Sequence, residues 1–237
     1  ENVDKRCADK PVMTEIREGL RIVLKNPILR GIAGCTSTGN LFGSMFFALM
    51  ILFMVDSLQL NPTWIGAVFA VGAIGAVAGA IVSSHIVSAI GLGRTIVLSA
   101  ALSGIPIILL VLADPGNALF LLTPLMFVNG LLMVLYNVNQ VSLRQAITPD
   151  HLQGKMNATM RFLVWGVFPI GGLLGGYLGE AFGIKTMILI SGIGTLFSVI
   201  WLLVSPVGKI ESIPEEGAES TKRRVKRLRE PAESRSD

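Results

Sequence analysis

An all-helical membrane protein of six transmembrane segments is the fold class this sequence predicts, and three observations predict it. The chain of 237 residues is 51% apolar and 15% charged, with a mean hydropathy of +0.65, where a soluble domain carries about 25% charged residues. The charge is also uneven: residues 28–206 hold 10 of the 36 charged side chains, and the 58 flanking residues hold the other 26. Each apolar stretch in that middle region approaches or exceeds the roughly 20 residues that a helix needs to cross a hydrocarbon core. A water-soluble core cannot be that long and that bare, which excludes a globular cytosolic enzyme.

Residues 1–27 are a polar flank, expected to be a cytoplasmic linker. Within it Met13, Ile16, Leu20, Val23 and Leu24 recur at helical spacing, Glu15, Arg17, Glu18, Arg21 and Lys25 cover the other face, and Asn26-Pro27 stops the run. Such an amphipathic helix either lies on the membrane surface or packs on cytoplasmic loops. Residues 28–206 form the bundle, with runs at Ile28–Val55, Pro62–Ile90, Thr95–Ala113, Ala118–Leu143, Met156–Gly179 and Thr186–Ser205. Turn chemistry separates them: Asp56-Ser57 to Asn61-Pro62, Gly91-Leu92-Gly93, Asp114-Pro115-Gly116-Asn117, Thr148-Pro149-Asp150 and Phe182-Gly183. Period-two alternation is absent and the runs are too long for barrel strands. Residues 207–237 are a basic tail, in which Lys222–Arg229 carries six basic residues in eight. It is expected to be disordered, or else held at an anionic leaflet, and its membrane tether argues against a nucleic-acid partner.

Orientation follows from the lysines and arginines. The flank through Arg30 contributes seven, Arg94 one, the region after the fourth run three (Arg144, Lys155, Arg161) and the tail eight. That makes 19 on the side of the termini against Lys185 alone on the other. Both termini are therefore expected in the cytoplasm. Cys7 and Cys35 make neither a metal spacing nor a disulfide framework, and no cofactor is expected. Residues 1–11 do not read as a signal peptide. A chain that begins with Glu1 and reaches its first span only near residue 28 is expected to be a fragment or processed chain, with sequence missing upstream.

The second and fifth runs are glycine-rich and are followed by similar segments: Ala89-Ile90-Gly91 then Arg94-Thr95-Ile96-Val97-Leu98, and Ala181-Phe182-Gly183 then Lys185-Thr186-Met187-Ile188-Leu189. Three spans per unit is odd, so the two units are inverted, with Arg94 inside and Lys185 outside. Two inverted three-helix repeats of this kind underlie many secondary transporters.

Six spans with both ends inside, a preceding amphipathic helix, and the stretch Leu143-Arg144-Gln145-Ala146-Ile147-Thr148-Pro149-Asp150-His151-Leu152-Gln153-Gly154-Lys155-Met156 resemble the C-terminal half of a major facilitator superfamily permease. The closest resemblance is to the bacterial drug:proton antiporter branch with macrolide-efflux and enterobactin-exporter-like members, and Asn157–Phe162 leading into Pro169-Ile170-Gly171-Gly172 is similar to the same branch. The family's basic loop departs from pattern: Gly79 is followed by Ser83, Ser84 and His85, with Arg94 alone basic and the aspartate missing. The resemblance implies twelve spans, an N-terminal six-helix half as partner, a bacterial inner-membrane location, and first and fourth spans of this half facing a central cavity.

Polar residues in hydrocarbon are costly and tend to face a cavity or another helix. In the fourth run Asn129, Met133, Tyr136, Asn137 and Gln140 share one helical face. In the first run Ser37, Asn40 and Ser44 do the same, with Thr36 and Thr38 at the edge. These eight are the candidate substrate path, with interhelical hydrogen bonding as the alternative role. The third and sixth runs read as lipid-facing outer helices. Arg144, Asp150 and Arg161 fall together at the fourth-to-fifth connection and read as a cytoplasmic gate, a loop-bracing salt bridge or a topology signal. Asp56, Asp114, Asp150 and Glu180 lie at or beyond span ends, so a proton-titrating group is expected in the missing half, with His85 the one exception in this chain. The glycine stripes Gly171-Gly175-Gly179, Gly172-Gly176 and Gly75-Gly79 are expected to serve close packing.

Enzyme signatures fail on inspection. Gly34–Gly39 is off by one from a nucleophile elbow and lies in a membrane helix, and Gly183-Ile184-Lys185-Thr186 lacks the adjacent Gly-Lys of a phosphate loop. The expected function is export of a small amphipathic organic compound by alternating access, coupled to protons. The alternatives are a six-span ABC-type exporter domain and a non-transporting scaffold half.

Overall fold

The computed structural model describes residues 12–212, with side chains from residue 17 onward. Cys7, the side chains of Met13 and Ile16, and the basic run at 222–229 lie outside the described residues. Helix α1 (Val12–Lys25) precedes six helical segments long and apolar enough to cross a membrane. They are built from α2 (Pro27–Leu52), α3 (Pro62–Ile90), α4 (Leu92–Leu109), α5 (Ala118–Ala146), α6 (Asp150–Trp165) with α7 (Phe168–Phe182), and α8 (Ile184–Phe197) with the short α9 (Ile200–Leu203).

Local chemistry sets the boundaries. Asn26 caps α2 by accepting from the Ile28 and Leu29 amides, and Asn61 caps α3 by accepting from Trp64, each with proline at the first helical position. The first span then ends in a π-helical turn, Phe53–Ser57. Gly91 and Gly183 have nearly the same backbone, φ 90 ψ 155 and φ 86 ψ 147. Each ends one helix and starts the next, in a region that only glycine adopts without strain. The third span therefore starts at Leu92, three residues ahead of Thr95, because the turn needs one residue.

The fifth span differs more. It starts at Asp150 rather than Met156, and it breaks between Trp165 and Phe168. Pro169 explains the break: it has no N–H for the Trp165 carbonyl, and its ring crowds that carbonyl in a continuous helix.

The packing obeys a twofold exchange of spans one to three with spans four to six. α2 packs on α7 as α5 packs on α3, α2 on α8 as α5 on α4, and α4 on α8 at the axis. Glycines make the approaches close: a Cβ on Gly75 would strike the Phe127 carbonyl, one on Gly171 the Leu41 carbonyl, and Gly104 faces the Gly192 carbonyl at the crossing of α4 and α8. One expected stripe makes no close approach within this bundle: a Cβ on Gly172 or Gly176 would meet no atom of the described residues.

Two apolar clusters hold the ends. One gathers Phe46, Met50, Phe53, Met54, Leu110, Leu122 and Ile188; the other gathers Val23, Ile32, Leu92, Ile96, Leu143 and Met156. Val23 is completely buried, Gly19 lies against the Lys155 carbonyl and Thr159, and Glu18 pairs with Lys155 at 2.5 Å. Helix α1 thus docks on α6. At the opposite end Lys185 pairs with Asp114 at 2.8 Å.

Candidate substrate cavity

α5 is continuous for 29 residues, so residues three, four and seven apart stack on one face. That face carries Asn129, Met133, Tyr136, Asn137, Gln140 and Arg144, and all six line a cavity of about 470 Å³. From Asn129 to Arg144 is fifteen residues, about 22 Å of helix, so the cavity runs from mid-span to the span's end. Asn40 and Ser44 of α2 form the facing wall, with Met160, Arg161, Trp165 and Phe168 from the broken fifth span.

Two of the expected residues do other work. Ser37 does not line the cavity: its hydroxyl donates to the Leu163 carbonyl at 3.1 Å, while Asn40 Nδ2 donates to the Val164 carbonyl at 2.9 Å. Those carbonyls sit at the break before Phe168, where the helical ladder no longer supplies them with N–H donors. The polar stripe of α2 therefore caps a broken helix, and Asn40 serves both the wall and the cap. Ser44 is buried, lines the cavity and donates to its own Leu41 carbonyl at 2.9 Å.

Behind the wall, Tyr136 Oη and Thr36 Oγ1 lie 2.7 Å apart, joining α5 to α2, and Cys35 Sγ lies 3.7 Å from Ser198 Oγ. Asn137 is exposed into the cavity and donates to its own Met133 carbonyl at 3.0 Å. Asn139, which the sequence stripe passed over, is buried and donates to Ser83 of α3 at 2.9 Å. Neighbouring amides thus have opposite duties, 139 holding helices together and 140 facing the cavity.

Two further expectations are corrected. Asp150 does not join Arg144 and Arg161: it is exposed, accepts from Gln153 at 3.1 Å and makes no ion pair with either arginine. The third and sixth spans are not only outer helices. Leu98, Leu102, Ile193 and Phe197 do face outward, but Ala100, Ser103, Thr195 and Ser198 close the back of the cavity. The inward face is legible as small hydroxyl residues, which hydrogen-bond into their own helices, as Ser191 and Thr195 do at 2.7 and 2.8 Å. Finally, His85 is exposed on α3, and the cavity lining does not include it.

The lining is mostly apolar, with amides, hydroxyls and two arginines and with no aspartate or glutamate among the described residues. Among the described residues no group of three His, Cys, Asp or Glu is placed to hold a metal.

Six membrane-length helices in two inverted three-helix repeats, enclosing a solute-sized cavity, define a multi-pass membrane protein of permease architecture. The chain belongs to the Major Facilitator Superfamily, whose sequence profile matches residues 20–233. That membership replaces the ABC-type alternative and places the chain among permeases rather than enzymes. It is also 29% identical over 199 residues, 78% of its length, to the "Multidrug efflux pump Tap" of Mycolicibacterium fortuitum. The chain spans 44% of that relative's length.

Proposed function

We propose that this chain supplies one six-helix half of a bacterial efflux permease, which exports a small amphipathic organic compound by alternating access coupled to protons. The cavity carries the reading: about 470 Å³ lies within the usual range for small-molecule sites, and it opens along the polar face of α5. The relative named as a multidrug efflux pump supports the class of substrate. The partner is an N-terminal six-helix half of the same polypeptide, which rocks against this one within the lipid bilayer. Both termini face the cytoplasm, on the strength of 19 basic residues against one. The described spans keep Asp56, Asp114, Asp150 and Glu180 at or beyond their ends, so the proton-titrating group belongs to the other half.

The test is efflux rate beside thermal stability for Asn137→Ala and Gln140→Ala in the full-length polypeptide. Both variants should change transport or substrate preference with a stability loss below about 1 kcal/mol, because a cavity-facing amide leaves no partner helix unpaired. Val138→Ala, on an exposed position outside the lining, should leave efflux unchanged. Stability that drops while transport per folded molecule holds would make these amides bundle glue and sink the assignment.

A further inference from the structure

We infer that the end of the cavity nearest the fourth-to-fifth connection is a seat for a carboxylate, supplied by an organic-acid substrate and held by Arg144, with Arg161 on the lining of the same cavity. The inference rests on the transporter reading above and names a substrate class for the same cavity. An arginine at a helix end that only marks topology extends its head group into water. Arg144, itself half-buried, does so only in part: its Nε has no solvent contact and no hydrogen-bond partner. One turn earlier Gln140 is 3% exposed, and its Oε1 is likewise buried without a partner. Both side chains line the cavity, as does Arg161.

Two cationic side chains therefore line a largely apolar cavity whose described lining holds no acid. A buried guanidinium N–H left unmade is costly. Asp150, the acid nearest to Arg144 in sequence, is engaged with Gln153, and Glu18 is engaged with Lys155. A carboxylate matches the guanidinium fork in charge, planarity and hydrogen-bond geometry. Gln140 can join it, because half a turn of its amide exchanges a 3.5 Å contact to Asn137 for an N–H aimed where Oε1 now points. Trp165, Phe168, Leu132 and Met133 offer the apolar surface for the rest of the molecule. The ligand these groups fit is an amphipathic aromatic or aliphatic monocarboxylate.

The experiment compares 1-naphthoate, its methyl ester and 1-naphthylmethylammonium, by titration calorimetry and thermal shift on the full-length polypeptide. Naphthoate should bind at least about tenfold tighter than the ester, as expected of a charge-assisted pair, and the ammonium should bind weakest. Arg144→Gln should erase the preference and leave ester affinity unchanged, Arg144→Lys should keep part of it, and Arg161→Gln, at an exposed position, should reduce it. Equal binding of acid and ester by the wild type, or a preference that survives Arg144→Gln, overturns the seat while leaving the transporter reading intact. Binding of none of the three probes overturns the seat, and with absent efflux it overturns both. If a carboxylate of another segment occupies the arginines, Arg144→Gln lowers the melting temperature of the ligand-free protein and naphthoate shows no preference, which overturns the substrate assignment.

Discussion

The first three spans and the last three build one arrangement from different sequences, and the second and fifth spans show how far that sameness goes. α3 is a single helix from Pro62 to Ile90, packed on α5 through Gly72, Gly75, Gly79 and Gly130, with Asn139 bonded to Ser83. Its counterpart packs on α2 through Gly171, Gly175 and Gly179 but breaks ahead of Pro169, and α2 sends Ser37 and Asn40 to the carbonyls the break frees. No residue of α3 lines the cavity, whereas the broken span contributes Met160, Arg161, Val164, Trp165 and Phe168. A shared packing code therefore sets the frame, and one proline with two polar side chains makes the asymmetry that opens a wall. The covering of the two cap glycines differs as well: the Gly91 turn is overlain by the chain at Ile210-Glu211, which accepts from the Leu92 and Gly93 amides at 3.1 and 2.8 Å, while Gly183 has nothing near it.

The glycine stripes give the largest expected effect. Gly75→Ala and Gly171→Ala each drive a Cβ into a backbone carbonyl that cannot move alone, and each should lose about 1–3 kcal/mol or more, read as a fall in melting temperature and folded yield. Gly172→Ala and Gly176→Ala meet open space and should stabilise by up to about 1 kcal/mol through helix propensity. If all four behave alike, the close approach of α7 to α2 is wrong.

The cap glycines come next. Gly91→Ala and Gly183→Ala place a Cβ at φ 90 and φ 86, and each should cost on the order of 1–3 kcal/mol. Gly91→Ala should cost the more, since its Cβ also meets the Glu211 backbone at 3.3 Å. Equal losses in thermal melts would mean that the overlying chain yields freely.

The smallest effect on stability tests the inversion itself. Arg94 and Lys185 occupy equivalent turns, so cysteines placed there should label from opposite sides of the membrane. An impermeant thiol reagent applied outside intact cells should reach the cysteine at 185 and not the one at 94. Loss of the Lys185–Asp114 pair, whose side chains are 43% and 68% exposed, should cost less than about 1 kcal/mol. Labelling of both from one side would end the inverted-repeat description.

The sequence by itself determined the number of spans, their helical nature, the paired glycine turns and the polar face of α5. These are properties of one segment at a time: hydrocarbon demands a minimum apolar length, a helix repeats every 3.6 residues, and a positive-φ turn demands glycine. The tertiary structure alone decided which member of a polar stripe faces the cavity and which faces a neighbouring helix. Asn139 and Gln140 are adjacent amides, and only the position of α3 makes the first a strut and leaves the second in the cavity. Ser37 looked equivalent to Asn40 until the break in the fifth span supplied carbonyls for both. Gly171 and Gly172 read alike in a list of spacings, and the approach of α2 separates them. A hydrogen bond or a close contact between helices has two partners far apart in the chain, and a pattern along one helix carries information about its own half only.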